Sequence, residues 1–295
     1  MERNGNGLDR RAMIVNLNIS QWAARKYDAK VSREVAEKYG AGADAGRYNK
    51  VLIAQEELRA IQKIANAART FHYFNSLPWG DNGDRVLPAK NFPTYTAEMD
   101  TLREQFNAAA DRLAELYPNL KADAKDQLNG LWNPEDYPAD GVIRGKFSFK
   151  YSFSPMPVSS DFRVEIIGAD AAEKIRGEIE TRTTEAQAAA TAELYRRLYE
   201  GVKHMADKLA DPGAIFRDSL VNNLVDICDA MPRLNFTGDA ELDRITQAIK
   251  DRLTNISPDV LRDGPLYRGQ VAGEAGAILR EITGGAGGRF IDFTD

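Results

Sequence analysis

The stretch DAAEKIRGEIETRTTEAQAAATAELYRRLYEGVKHMADKL, residues 170–209, decides how this chain is read. Its apolar positions Ile175, Ile179, Ala186, Ala190, Leu194, Leu198, Val202, Met205 and Leu209 recur mostly at intervals of three and four, the spacing that lines one face of an α-helix. No proline interrupts it, and Asp170 offers a side-chain oxygen to its first turn. At 1.5 Å per residue, about 40 residues make a helix on the order of 60 Å long, wider than a compact domain. Such a stripe needs a partner along most of its length, in the same chain or in a second copy. The predicted fold class is therefore mainly α: an elongated antiparallel helical bundle or coiled-coil hairpin.

Before this helix the period changes from about 3.6 to 2. Phe147, Phe149, Tyr151 and Phe153 alternate with Ser148, Lys150 and Ser152; beyond Ser154-Pro155-Met156-Pro157, Phe162, Val164 and Ile166 alternate with Arg163 and Glu165. This pattern predicts a small antiparallel β-ribbon insert at about 144–167, whose aromatic face must lie on helices or on another chain because a lone hairpin is marginal in water. Further upstream, helical spacing runs over 49–74, turn residues fill 77–84, and a second helix starts near Thr94 and closes at Pro118, with a short helical stretch to about Leu131. Downstream, Asp211-Pro212-Gly213 restarts a helix over 214–230, and Thr237-Gly238-Asp239 and Ser257-Pro258-Asp259 open smaller ones. The organisation expected is a flexible N-terminus over 1–14, a helical body over 15–283 and a glycine-rich linker with a terminal peptide over 284–295.

Composition bounds the function. With 295 residues, 43% hydrophobic and 28% charged, the chain can bury a core, which excludes wholesale disorder and a collagen-like rod. Cys228 is the only cysteine and there are two histidines, so neither an internal disulfide nor the usual four-ligand structural zinc can form. The expected compartment is reducing. No apolar run approaches the roughly 18 residues that span a bilayer, and residues 1–7 carry no apolar signal core, so no membrane association is expected and the cytoplasm is the expected location. The net charge of −5 argues against a surface built to neutralise duplex phosphates. Residues up to Tyr73 nevertheless carry an excess of roughly five positive charges, an asymmetry that can mark a polyanion-facing end.

No catalytic constellation emerges. Neither His72 nor His204 has a nucleophile or an orienting acid placed beside it by the sequence, and ordinary packing or surface roles account for both. Gly80-Asp81-Asn82-Gly83-Asp84 has calcium-like oxygens but lacks the distal ligand, so it reads as a turn joining two helices. Gly284 to Gly288 has no helix after it to hold a phosphate and reads as a tether. The peptide beyond it carries Phe290, Asp292, Phe293 and Asp295, which either dock to a partner or fold back on the body. On the ribbon, Arg144, Lys146, Lys150 and Arg163 accompany four aromatics, a combination that binds single strands when the rings are exposed and forms core when they are not. No catalytic residue, cofactor or metal is expected.

A collinear series carries a resemblance: Leu17-Asn18-Ile19-Ser20-x-Trp22, Arg25-Lys26, Gly46-Arg47-Tyr48-Asn49-Lys50, Ala68-Arg69-x-x-His72-Tyr73, Leu77-Pro78-Trp79-x-Asp81, Leu87-Pro88, Lys146-Phe147-Ser148-Phe149 and Asp161-Phe162-Arg163-Val164. Over about residues 15 to 230 the chain resembles the phage and mobile-element family catalogued as domain of unknown function 3150. The resemblance implies a non-enzymatic accessory protein acting as adaptor or substrate for a MoxR-type AAA+ ATPase and a von Willebrand factor A partner, whose genes neighbour those of the family. The alternative is a single-stranded DNA-binding or annealing accessory in phage DNA metabolism, and a homo-oligomer fits the long helix.

Overall fold

A computed structural model describes residues 8–80, 82–161, 168–211, 213–285 and 287–290. In chain order the elements are β1 (Ala12–Ser20), β2 (Arg25–Tyr27), α1 (Ala29–Tyr39), β3 (Asn49–Val51), α2 (Gln55–Phe74), β4 (Leu77–Pro78), β5 (Asp84–Pro88), α3 (Phe92–Leu128), α4 (Asp140–Ile143), β6 (Ser148–Pro155), α5 (Ala169–Ala210), α6 (Ser219–Leu234), α7 (Ala240–Ile249), α8 (Pro258–Asp263), α9 (Pro265–Gly284) and α10 (Gly287–Phe290). The fold is mainly α with a small sheet. Two compact units are each woven from separated segments: a larger one from Met1–Asn16, Tyr73–Tyr95 and Ser152–Asp295, and a smaller one from Leu17–His72 and Thr96–Tyr151. Among the described residues no helix is long and apolar enough to cross a membrane.

The larger unit is organised by α5, continuous as its spacing requires. Ala186, Ala190, Leu194, Leu198, Val202, Met205 and Leu209 are buried, whereas Ile175 and Ile179 near the N-terminal end are half-buried. The chief partners of α5 within this unit are the shorter helices α6 and α9, with α7, α10 and β4 adding smaller contacts. Leu220, Leu224, Ile245, Val271, Ala275 and Ile278 share one core with it. Gly201 sets how closely α6 approaches, because a Cβ there would stand 3.1 Å from both Leu224 Cδ1 and Ile227 Cδ1. Gly201→Val should therefore lower stability by about 1–3 kcal/mol through overpacking, read as a drop in the denaturant midpoint at unchanged slope.

Four strands form a sheet in the order β4-β5-β1-β6. β1 and β5 pair antiparallel from Ala12 opposite Pro88 to Asn16 opposite Asp84, and β4 pairs antiparallel with β5. Ala12, Ile14, Leu77, Trp79 and Val86 enter the same core as the α5 stripe. Residues 12–14, expected in a flexible tail, thus begin a strand with a buried face. Of the expected ribbon, the first strand forms as β6 and neighbours β1, Arg144–Lys146 is a short 3-10 turn rather than strand, and the predicted return strand at 162–167 lies outside the described residues. The turn of residues 80–84 joins strands β4 and β5, not two helices.

In the smaller unit, α2 buries Leu58, Ile61, Ala65 and Ala68, and α3 buries Met99, Leu102, Phe106, Ala110, Leu113 and Tyr117. Phe149 on β6 meets Phe106 edge-on, with ring centroids 5.6 Å apart. α3 runs through Pro118, where a helix end was expected. An interior proline costs a helix about 3 kcal/mol. Burial of Leu113 and Tyr117 before it and Ala124 after it offsets that loss, and the Tyr117 hydroxyl donates to the Pro138 carbonyl at 3.0 Å. The helix α1 has no counterpart among the expected elements. Asp28 caps it by accepting from the backbone N–H groups of Lys30 and Val31, and Gly40 ends it at φ 60°, a left-handed conformation that favours glycine.

Candidate functional site

The cations expected on the ribbon do not form one surface. The Arg144 guanidinium pairs with Asp111 and donates to the Asn107 side-chain oxygen and the Phe147 carbonyl, so it fastens the start of β6 to α3. Lys146 and Lys150 are exposed, and Arg163 lies outside the described residues. Phe147 and Phe149 are core residues, the Tyr151 hydroxyl donates to Asp100, and Phe153 packs on Phe92 with centroids 5.2 Å apart. Phe147 and Phe149 therefore offer no open face for base stacking, and Phe153, though 37% exposed, already packs on a neighbouring ring.

A different cationic and aromatic surface stands on β2, α1 and β3 of the smaller unit. Its foundation is Lys50, buried on β3. The ammonium meets Asp136 Oδ2 at 2.5 Å and Asp28 Oδ2 at 3.3 Å, and donates to the Leu131 carbonyl at 3.2 Å. Three acceptors match its three N–H bonds. Among the described residues, Asp136 Oδ2 has no hydrogen-bond donor beside it other than this ammonium. Burial works against the lysine's charge, but the two carboxylates outweigh it and hold the ammonium's pKa above its ordinary value. Asp28 does double duty. The Val31 N–H, and after it the Lys50 ammonium, hold its carboxyl below the usual range although burial opposes them. One buried charge cluster therefore fixes both the N-terminus of α1 and the β2–β3 ribbon.

The pairing Arg25↔Val51 and Tyr27↔Asn49 puts these four side chains on one ribbon face, and all four are exposed. Arg47 lies over the Tyr27 ring, 5.5 Å from its centroid. Beside them is a cavity of about 250 Å³ between α1 and the following loop, lined by Val35, Ala36, Tyr39, Arg47 and Tyr48 among others. Its floor is fixed by the Ser32 hydroxyl, which donates to the Asp28 carbonyl at 2.7 Å and accepts from the Tyr48 N–H at 3.0 Å. Tyr39 is 74% exposed, Tyr27 47% and Tyr48 38%, an unusual concentration of open rings. Over residues 25–51 the exposed cations are Arg25, Lys26, Lys30, Arg33, Lys38 and Arg47, against exposed Glu34, Glu37 and Asp44. Among the described residues, Arg25, Lys26, Arg33 and Arg47 enter no ion pair.

The remaining candidates are structural where they are described. His72 is buried and His204 exposed. Cys228 is buried, which pushes its thiol up to about 12, far from the reactive range. Asp84 accepts from the Asn16 and Asn82 amides at 3.0 and 2.9 Å, so both oxygens of its carboxylate are engaged, while Asp81 lies outside the described residues. Among the described residues no group of His, Cys, Asp and Glu could hold a metal ion. The expected glycine tether is instead helical up to Gly284 and again over Gly287–Phe290. A Cβ at Gly287 would stand 3.1 Å from the Tyr195 ring, so the second glycine turn packs on α5. Phe290 closes that turn, while Asp292, Phe293 and Asp295 lie outside the described residues. In comparisons with known proteins, no family model, no curated protein and no solved structure matches this chain.

Proposed function

We propose that this chain is a non-enzymatic accessory protein of a phage or mobile element, acting in the host cytoplasm as adaptor or substrate for a MoxR-type AAA+ ATPase and a von Willebrand factor A partner. The observation that supports a holding role is where the polar chemistry goes: the described buried and half-buried charges fasten the chain to itself. Lys50 is saturated by two carboxylates and a carbonyl. Arg197 donates to the carbonyls of Tyr73, Phe74 and Ser76, tying α5 to the chain around the end of α2. The Tyr195 hydroxyl donates to Asp239 at 2.9 Å. The motifs that carry the family resemblance fall largely on this scaffold, with Leu77 on β4, Leu87 on β5 and Phe149 on β6 all buried. An elongated helical bundle or coiled-coil hairpin, closed within the chain or with a second copy, is the form in which we expect it to work.

The partner contact belongs to the terminal peptide. Phe290 and Phe293 supply apolar anchors, and Asp292 and Asp295 supply carboxylate oxygens of the kind that complete a divalent ion's coordination. Co-expression of the chain with the neighbouring ATPase and von Willebrand factor A protein, followed by affinity capture at high salt, should recover all three. Removing residues 291–295 should abolish recovery while leaving the melting curve in place. Equal recovery with and without those residues would remove the tail from the proposal, and failure to recover either partner would end the adaptor reading.

A further inference from the structure

We infer that the face built by Tyr27, Tyr39, Tyr48, Arg25 and Arg47 on β2, α1 and the loop before β3 is a binding site for single-stranded nucleic acid. This does not rest on the adaptor reading and uses none of the residues of β6 or of the turn before it. Two requirements of such a ligand are met together. A flexible polyanion needs cations that are not already neutralised, and Arg25 and Arg47 enter no ion pair among the described residues while exposed cations outnumber exposed carboxylates across residues 25–51. Unpaired bases need open rings to stack on, and three tyrosines that are 38–74% exposed lie around Arg47, with Arg25 on the same ribbon face as Tyr27.

The arrangement is continuous. Arg47 covers one side of Tyr27 at 5.5 Å, and it also lines the cavity that holds Tyr39 and Tyr48. Lys38 stands over the Tyr39 ring at 5.7 Å, so two of the three rings have a cation against one side. The cavity, about 250 Å³, is smaller than the roughly 300–1,000 Å³ of ordinary small-molecule pockets, and its lining is apolar apart from Arg47 and a few hydroxyls. That suits one flat ring entering from a strand whose backbone tracks the guanidinium groups. An acidic peptide would satisfy the charges but would leave the rings without a use, which is why the nucleic acid is favoured. A duplex keeps its bases stacked on each other and gains nothing from the tyrosines.

The test uses the full chain and a fluorescein-labelled oligothymidylate of about 16 nucleotides, the upper end of single-module site sizes, followed by anisotropy. Binding is expected at low salt, weakening with a log–log slope of about −2, the value for roughly three phosphates released from a single strand. Tyr39→Ala and Tyr48→Ala should each weaken it at least ~5-fold, and Tyr39→Phe should restore it, because stacking needs the ring and not the hydroxyl. Arg25→Gln with Arg47→Gln should flatten the slope by about 1.4. Lys146→Glu with Lys150→Glu, on exposed residues elsewhere, should leave affinity unchanged. Absence of binding at low salt overturns the inference. So does a matched duplex binding equally well, or a poly-glutamate peptide competing equally while the alanine variants keep full affinity. Since Tyr39 projects into solvent, its variants test the site without testing the fold.

Discussion

Leu198→Asp should be the most destabilising single change in the larger unit, lowering its stability by on the order of 5 kcal/mol. Leu198 is fully buried at the middle of the α5 stripe, in the core shared with α6, α7 and α9. Truncating such a leucine already costs about 2–5 kcal/mol, and a carboxylate adds the desolvation of a charge with no partner nearby. The same helix contains its own control. Ile175 is only half-buried, so Ile175→Asp should change stability by no more than about 1 kcal/mol. Thermal melts of the two variants decide the matter: similar behaviour would mean that the stripe does not pack as described.

The second large effect is expected in the smaller unit. Lys50→Met removes the cation from a cluster whose side chains are 7%, 15% and 9% exposed for Lys50, Asp28 and Asp136, leaving two carboxylates without a counter-charge. Breaking a buried ion pair on one side costs about 3–5 kcal/mol. Hydrogen exchange should accelerate in β3, α1 and residues 131–137, the segments that the ammonium joins. Adding Asp28→Asn and Asp136→Asn should recover part of the loss, because the amides carry no unpaired charge. If the single variant keeps normal protection, the cluster is not what holds α1. The unmodified cluster also has an acid limit. A carboxyl whose pKa is lowered on folding contributes its full stabilisation above the unfolded value of about 3.9 and loses it as pH falls through the depressed folded value. Protection of α1 should therefore be constant near neutrality and decline only below about pH 4.

What could be read from the residues alone was whatever repeats locally. α5, α2 and most of α3 announce themselves through spacings of three and four, and Asp239 announces α7 by position before it accepts from the Glu241 and Leu242 N–H groups. α9 does not, because Gly269, Gly273 and Gly276 each weaken helix by about 1 kcal/mol. It forms because Val271, Ala275, Ile278 and Ile282 are buried in the α5 core, a tertiary reward invisible to propensity. β1 has the alternation of a strand, but its partner β5 lies far along the chain and β4 is only two residues long, so nothing nearby marks the sheet. The candidate surface was missed for a related reason. Ring-and-cation composition is the same on β6 and around α1, and only burial tells them apart: Phe147 and Phe149 point into a core, while Tyr27 and Tyr39 do not. Asp28 and Gly40 were readable as caps, and would have revealed α1; the meeting of Lys50 with Asp136 was not readable at all.

The weaving of the two units also sets a timetable for synthesis. Every segment of the smaller unit has been made once Tyr151 is added, so it can close while the ribosome is still translating the rest. The larger unit cannot. Its strands are made early, but the core that Ala12, Ile14, Leu77, Trp79 and Val86 share with helices from α5 to α9 is complete only when Gly284 has been added. At about 5–20 residues per second the interval from Tyr151 to Gly284 lasts roughly 7 to 25 s. During it the nascent chain carries apolar strands whose core is still incomplete, the condition under which chains capture chaperones or one another. Growth temperature and translation speed should thus govern the yield of soluble protein more strongly than the final stability does, and slowing synthesis should help only if a chaperone is present to occupy the waiting strands.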